Sequence, residues 1–166
     1  MNKKEPNLSF GLLLLPFALV TLLGALVSPR DAQGQPLLLL PDVKAVQDYR
    51  QAVSEDVAGL NLLGGEIADV LSAQNTDLFG QSRQAQSAFE HALNIAQAID
   101  TQGAPPALDG LQQASAQAAS SYLEAARLAL RWVSLPEAGN RTAAETGLTQ
   151  AQQQLQTLEG SQWLTK

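Results

Sequence analysis

The 166-residue sequence contains no cysteine, a single histidine (His91) and a single methionine, at position 1. Without cysteine there can be no disulfide, thiolate metal ligand, c-type haem attachment, cysteine-linked lipid or cysteine nucleophile. Charged residues make up only 16% of the chain and aromatics 5%, where about a quarter charged is usual for a soluble domain. Acidic residues outnumber basic ones 16 to 10, for a net charge of −6. That balance argues against nucleic acid as a partner, because phosphate binding needs clustered Lys and Arg. What the chain does have is 45% hydrophobic residues, enough Leu, Val, Ile and Ala to build a core rather than a disordered acidic tail. The length corresponds to one domain.

The first notable feature is residues 8–27, LSFGLLLLPFALVTLLGALV, which carry no charge and nothing more polar than Ser9 and Thr21. A helix of that length rises about 30 Å, the thickness of a bilayer's hydrocarbon core. Lys3 and Lys4 precede it, so the positive-inside rule predicts a cytoplasmic N-terminus and an exported remainder. Pro16 is tolerated in such a helix at the cost of a kink. A cleaved signal peptide is the competing reading, supported by the charged n-region and by Gly24, Ala25 and Ser28. The apolar stretch is long for a signal, however. Cutting after Val27 places a branched residue at the last position, and cutting after Ser28 places Pro29 next. The expected organisation is a cytoplasmic n-region (1–7), a signal anchor or signal peptide (8–28), a Pro/Gly/Gln-rich tether (29–41) and an extracytoplasmic domain (42–166). A cleaved signal would instead make the product secreted or periplasmic. Asn7-Leu8-Ser9 and Asn140-Arg141-Thr142 match the N-glycosylation pattern, and are read as chance matches.

From Asp42, read as an N-cap, the apolar period is 3.6 rather than 2. Val46, Val53, Val57, Leu60, Leu63, Ile67 and Leu71 share one face of a first helix; Asp48, Glu55, Glu66 and Asp69 lie opposite. Gly59, Gly64 and Gly65 interrupt it, and close approach of a neighbouring helix is the favoured reason over a hinge. Residues 74–77, Gln-Asn-Thr-Asp, form a turn and cap. A second stripe follows in Ala85, Ala88, Phe89, Ala92, Ile95, Ala96 and Ile99, ending at Gly103. Pro105-Pro106 opens a third helix, whose core side carries Leu108, Leu111, Ser115, Ala118, Tyr122, Ala125, Ala129 and Trp132. After Pro136 and Gly139, Thr142-Ala-Ala-Glu145 has the form of a capping box. Ala144, Leu148, Ala151, Leu155 and Leu158 make the fourth stripe. The predicted fold is all-α: an N-terminal transmembrane or signal helix followed by an antiparallel up-down-up-down four-helix bundle with thin, Ala-rich seams.

Little catalytic chemistry is written into these helices. A di-iron site needs paired Glu-x-x-His motifs, and the residue three before His91 is Ala88. A bundle haem with His and Met ligands lacks its Met, and no Gly-x-Ser-x-Gly turn presents a serine. His91 falls at the edge of the apolar arc, a boundary position. Glu55 and Asp56 point apart, while Glu66 and Asp69 sit on the outer face. No enzyme, metal or cofactor is therefore expected. Residues 42–109 hold ten acidic and three basic side chains, making the first hairpin acidic, net −7, and repelled by anionic headgroups. On the third helix Glu124, Arg127 and Arg131 form a charged ridge. Arg127 and Arg131 are the candidate ligand-binding residues, since an Arg pair one turn apart can hold a carboxylate. The simpler role is i, i+3 pairing of Glu124 with Arg127. Trp132 continues the core stripe, and with Trp163 is also a candidate to line a shallow pocket between the bundle end and the membrane.

Pro105-Pro106-Ala-Leu108, followed by Tyr122-Leu123-Glu124-Ala125-Ala126 and then an Ala/Leu/Gln helix, resembles uncharacterised exported bacterial helical-bundle proteins over about residues 105–160. Those proteins often carry a lipidation cysteine after the apolar segment; here anchoring would rest on the span itself. The resemblance implies export and a bundle and carries no activity. The plan is also similar to the extracytoplasmic four-helix sensor domains of bacterial receptors, without their second span and signalling region. The expected function is that of a membrane-anchored scaffold or accessory subunit, held in the bilayer by residues 8–27 and acting on a protein partner. The alternative is an exported ligand-binding or sensor-like module for a small molecule.

Overall fold

The computed structural model describes residues 41–72 and 77–164. The proposed n-region, apolar span and most of the tether lie outside the described residues. The chain divides into two units, Met1–Val43 and Lys44–Lys166, and nearly all of the helical residues belong to the second. It is all-α among the described residues: α1 (Pro41–Ser72), α2 (Leu78–Thr101), a short 3-10 turn (Pro106–Leu108), α3 (Asp109–Ser134) and α4 (Ala138–Glu159). No helix among the described residues is long and apolar enough to cross a membrane.

Local chemistry sets most of the boundaries. Pro41 is the first residue of α1, where its missing N–H costs nothing, so Asp42 falls inside the first turn rather than at the cap. Asp77 caps α2, its Oδ1 accepting from the Gly80 N–H at 3.0 Å and satisfying one of the free donors of a helix start. Pro105 and Pro106 begin the 3-10 turn that leads into α3. The capping box expected at Thr142–Glu145 is not used. Helix α4 starts four residues earlier, just after Pro136. The Asn140 and Arg141 amides donate to the Glu137 carbonyl, and the Thr142 hydroxyl donates to Ala138 O from inside the helix. Glu145 pairs instead with Arg141 at 2.9 Å.

The helices pack as an antiparallel ring. Along α1 and α2 the contacts run in opposite senses. Gln81 Nε2 donates to Val70 O at 3.0 Å, His91 Nδ1 lies 3.0 Å from Glu66 Oε2, and Gln102 Nε2 donates to Asp56 Oδ2 at 3.1 Å. Gln112 Nε2 ties α3 to the end of α2 through Gln102 O. Arg141 lies over the Trp132 ring near the α3–α4 connection, and Asn61 Nδ2 closes the ring from α1 to Glu159 of α4 at 2.8 Å.

The core is built from the expected stripes: Val53, Leu63, Ile67, Ala85, Leu111, Ala118, Ala125, Ala144 and Ala151 are wholly buried. Tyr49, Val70, Ala119 and Ala126, outside the stripes read from the sequence, belong to it as well. Two glycines permit close helix approach. A Cβ on Gly64 would stand 3.2 Å from the Tyr122 hydroxyl, and one on Gly147 would stand 2.9 Å from Leu128 Cδ1 and 3.5 Å from the Ala125 backbone. Helix α1 runs unbroken through Gly59, Gly64 and Gly65, so close packing accounts for Gly64. Nothing lies within 4 Å of a Cβ on Gly65.

Candidate functional site

Arg127 and Arg131 stand one turn apart on α3. Both are exposed on the outer face of α3. Arg127 is engaged by its own helix: Nε donates to Glu124 Oε2 at 2.7 Å and Nη2 to Glu124 Oε1 at 2.6 Å. That fork occupies the Nε/Nη2 edge of the guanidinium. It also holds the Glu124 carboxyl below its ordinary range and raises the guanidinium. Arg131 has no ion-pair partner among the described residues. Glu124 borders a groove of about 650 Å³ between α3 and α4, floored by Gly147 and Leu128 and edged by the hydroxyls of Ser120, Ser121, Thr142 and Thr146. Neither arginine lines it.

His91 is half-exposed, at the boundary position its spacing predicts. Its partner has no signal in the spacing. Glu66 is exposed on α1, yet its carboxylate reaches His91 Nδ1 across the α1–α2 seam. Asp69 lies with Glu66 along a small neighbouring cleft. No group of three or more His, Cys, Asp or Glu among the described residues is placed to hold a metal ion.

A second polar cluster sits between the first half of α1 and the end of α2. Asp56 is half-buried and accepts from Gln102, whose Oε1 has no partner. Burial is the main cause that raises the Asp56 carboxyl, opposed by the Gln102 hydrogen bond and helped by nearby Glu55. Tyr49, 5% exposed, has an unpartnered hydroxyl. Burial and then the Asp56 charge push its phenol up.

The third polar cluster has room. Tyr122 is 1% exposed, and it forms one wall of a cavity of about 310 Å³ between α1 and α4, with Asn61, Gln152, Leu155, Gln156 and Glu159 as the others. Burial, and secondarily Glu159, raise the phenol, so the hydroxyl is neutral and able both to donate and to accept. Spacing along the chain assigns Tyr122 to the core and Glu159 to the surface; what it does not show is that a glycine on α1 lets the two meet.

At the bundle end where the α1–α2 and α3–α4 connections lie, three large apolar side chains face solvent: Leu78 at 66%, Phe79 at 74% and Leu135 at 53%. Arg83 covers part of the Phe79 ring, 4.8 Å from its centre. Trp132 is near this end, whereas Trp163 follows α4 at the other. The shared Trp pocket expected from the sequence therefore cannot form, because antiparallel packing of α3 and α4 separates the two rings by most of the bundle's length.

Fold and site geometry together define an all-α helical bundle with polar clusters on its seams. No protein family, curated protein or solved structure matches the chain.

Proposed function

We propose that the protein is a membrane-anchored, extracytoplasmic helical bundle that works by protein–protein contact, as a scaffold or accessory subunit. The observation that carries the reading is the exposure of Leu78, Phe79 and Leu135 at one end of the bundle. Single exposed leucines such as Leu62 need no explanation, but three large apolar side chains exposed at one end of the bundle have the composition of an interface centre. Two further features support the reading. The uncharged residues 8–27, preceded by Lys3 and Lys4, fit a signal anchor with positive-inside orientation. The acidic first hairpin would also keep the domain off anionic headgroups and leave its far end free.

Native mass spectrometry of the full-length protein, extracted from its own membranes in mild detergent, tests this. The expected result is a chain that retains residues 1–30 and carries further protein chains, which a Leu78→Ser, Phe79→Ser double variant sheds. A chain that is monomeric in both forms, or whose bound proteins ignore the double substitution, overturns the reading. A mass lacking the first 28 or so residues would replace anchoring with signal cleavage.

A further inference from the structure

We infer that the cavity walled by Asn61, Tyr122, Gln152, Leu155, Gln156 and Glu159 is a binding site for a small organic ammonium ion. The inference does not depend on the protein-contact reading. Its first support is the hydroxyl of Tyr122. The residue is almost wholly buried and borders the cavity. A neutral phenol in that place can donate as well as accept. Gly64 makes this placement possible, because a Cβ there would crowd both the hydroxyl and Cε1 of the ring.

The charge and polar groups on the walls give the ligand class. Asn61 spends its amide on Val57 O at 3.2 Å and Glu159 Oε1 at 2.8 Å, which leaves its carbonyl oxygen as an acceptor. The same bond fixes the Glu159 carboxylate by one oxygen and leaves the other available. Gln152 and Gln156, one turn apart on α4, add two carbonyls and two amide donors. No Lys or Arg lines the cavity, so the only formal charge on its walls is the negative one of Glu159. An ammonium group, with three donors and a positive charge, complements that charge and the carbonyls beside it, whereas a carboxylate or phosphate would meet repulsion from Glu159. The volume lies at the small end of ligand sites, which selects a ligand of a few heavy atoms with a polar tail that the glutamine amides can bond.

Ethanolamine is a suitable probe, with ethylene glycol and glycolate as its neutral and anionic counterparts of similar size. The full-length, isotope-labelled protein in detergent free of amine headgroups is titrated with each, following the Asn61 side-chain and Gly64 backbone amides by NMR. Saturable shifts with ethanolamine alone are expected, weakened on the order of tenfold in Glu159→Gln through loss of the charge-assisted bond. Tyr122→Phe, which keeps the ring packing, should weaken binding several-fold with little change in melting temperature. Shifts of equal size with ethylene glycol, affinity unchanged in Glu159→Gln, or no saturable shift would each overturn the assignment.

Discussion

Between α3 and α4 the contact is made by almost nothing: the Ala125 backbone stands 3.5 Å from where a Cβ on Gly147 would lie, and Ala126, Ala144 and Ala151 on the same two helices are wholly buried. Between α1 and α2, Gln81, His91 and Gln102 instead reach across to the Val70 carbonyl, Glu66 and Asp56. The first seam is set by volume and carries few polar groups that titrate. The second is set by polar register and carries two carboxylates and an imidazole. A close-packed seam of small residues gains dispersion contacts along its length but has no room to relax. A seam bridged by long polar side chains tolerates changes in size and responds to changes in charge.

Adding volume to the close seam should give the largest effect. Ala125→Leu forces three heavy atoms into a space bounded by the α4 backbone, and is expected to lower unfolding stability by about 3 kcal/mol. Gln81→Leu, nearly conserving volume in the polar seam, should cost only about 1 kcal/mol, the net worth of one buried hydrogen bond. Urea melts of the wild type and both variants by circular dichroism measure the two losses. Equal losses would mean that the two seams are not built differently. The hydrogen bond at stake in Gln81→Leu completes a helix end. Val70 lies in the last turn of α1, where carbonyls lack intrahelical partners, and the Gln81 amide supplies one from the next helix.

The features legible in the sequence are those that depend on neighbours within a turn or two. The four helices, the Asp77 cap, the proline-led entry to α3 and the Glu124–Arg127 pair all follow from spacing along one stretch of chain. Tyr49 is readable too, since it falls four residues before Val53 on the apolar arc and is buried there. The start of α4 is misleading in the sequence because Thr142 and Glu145 have capping-box spacing, while Pro136 lets the helix begin sooner and each side chain finds a partner one turn back. The polar bridges depend on register between helices, which no single helix encodes. Glu66 has the look of a solvated acid until α2 places His91 beside it. Likewise, Tyr122 reads as plain core until Gly64 admits its ring and Glu159 shares the cavity it borders.

The polar seam should show itself in pH dependence through Asp56. Its carboxyl is raised in the folded protein, mainly by burial, so the fold binds that proton more tightly than the unfolded chain does. The stabilisation this provides is full below the ordinary carboxyl range and is lost as pH rises through the raised folded value. Asp56→Asn keeps the hydrogen-bonding shape without the charge. It should match the wild type in acid below the ordinary carboxyl range and exceed it at neutral pH by less than about 1 kcal/mol, since the group is partly exposed and screened. Thermal melts across that range check the sign; a variant less stable at neutral pH would mean that the charged form of Asp56, not the neutral one, is what Gln102 holds.

The smallest effect belongs to the exposed ridge on α3, and its sign is opposite. Two bonds from Arg127 hold the Glu124 carboxyl down, so its contribution is present above the ordinary carboxyl range and fades as pH falls through the lowered folded value. Glu124→Gln should therefore be slightly less stable than the wild type at neutral pH and indistinguishable from it in acid. The difference should also disappear at about 1 M salt, where the screening length shrinks to about 3 Å. The same substitution frees the Arg127 guanidinium beside Arg131. If acetate or another small carboxylate then bound the variant but not the wild type, the ridge would be a carboxylate site that Glu124 keeps shut. If neither bound it, the ridge would be no more than a solvated ion pair, and the acidic and polar features of the molecule that matter would lie on its seams.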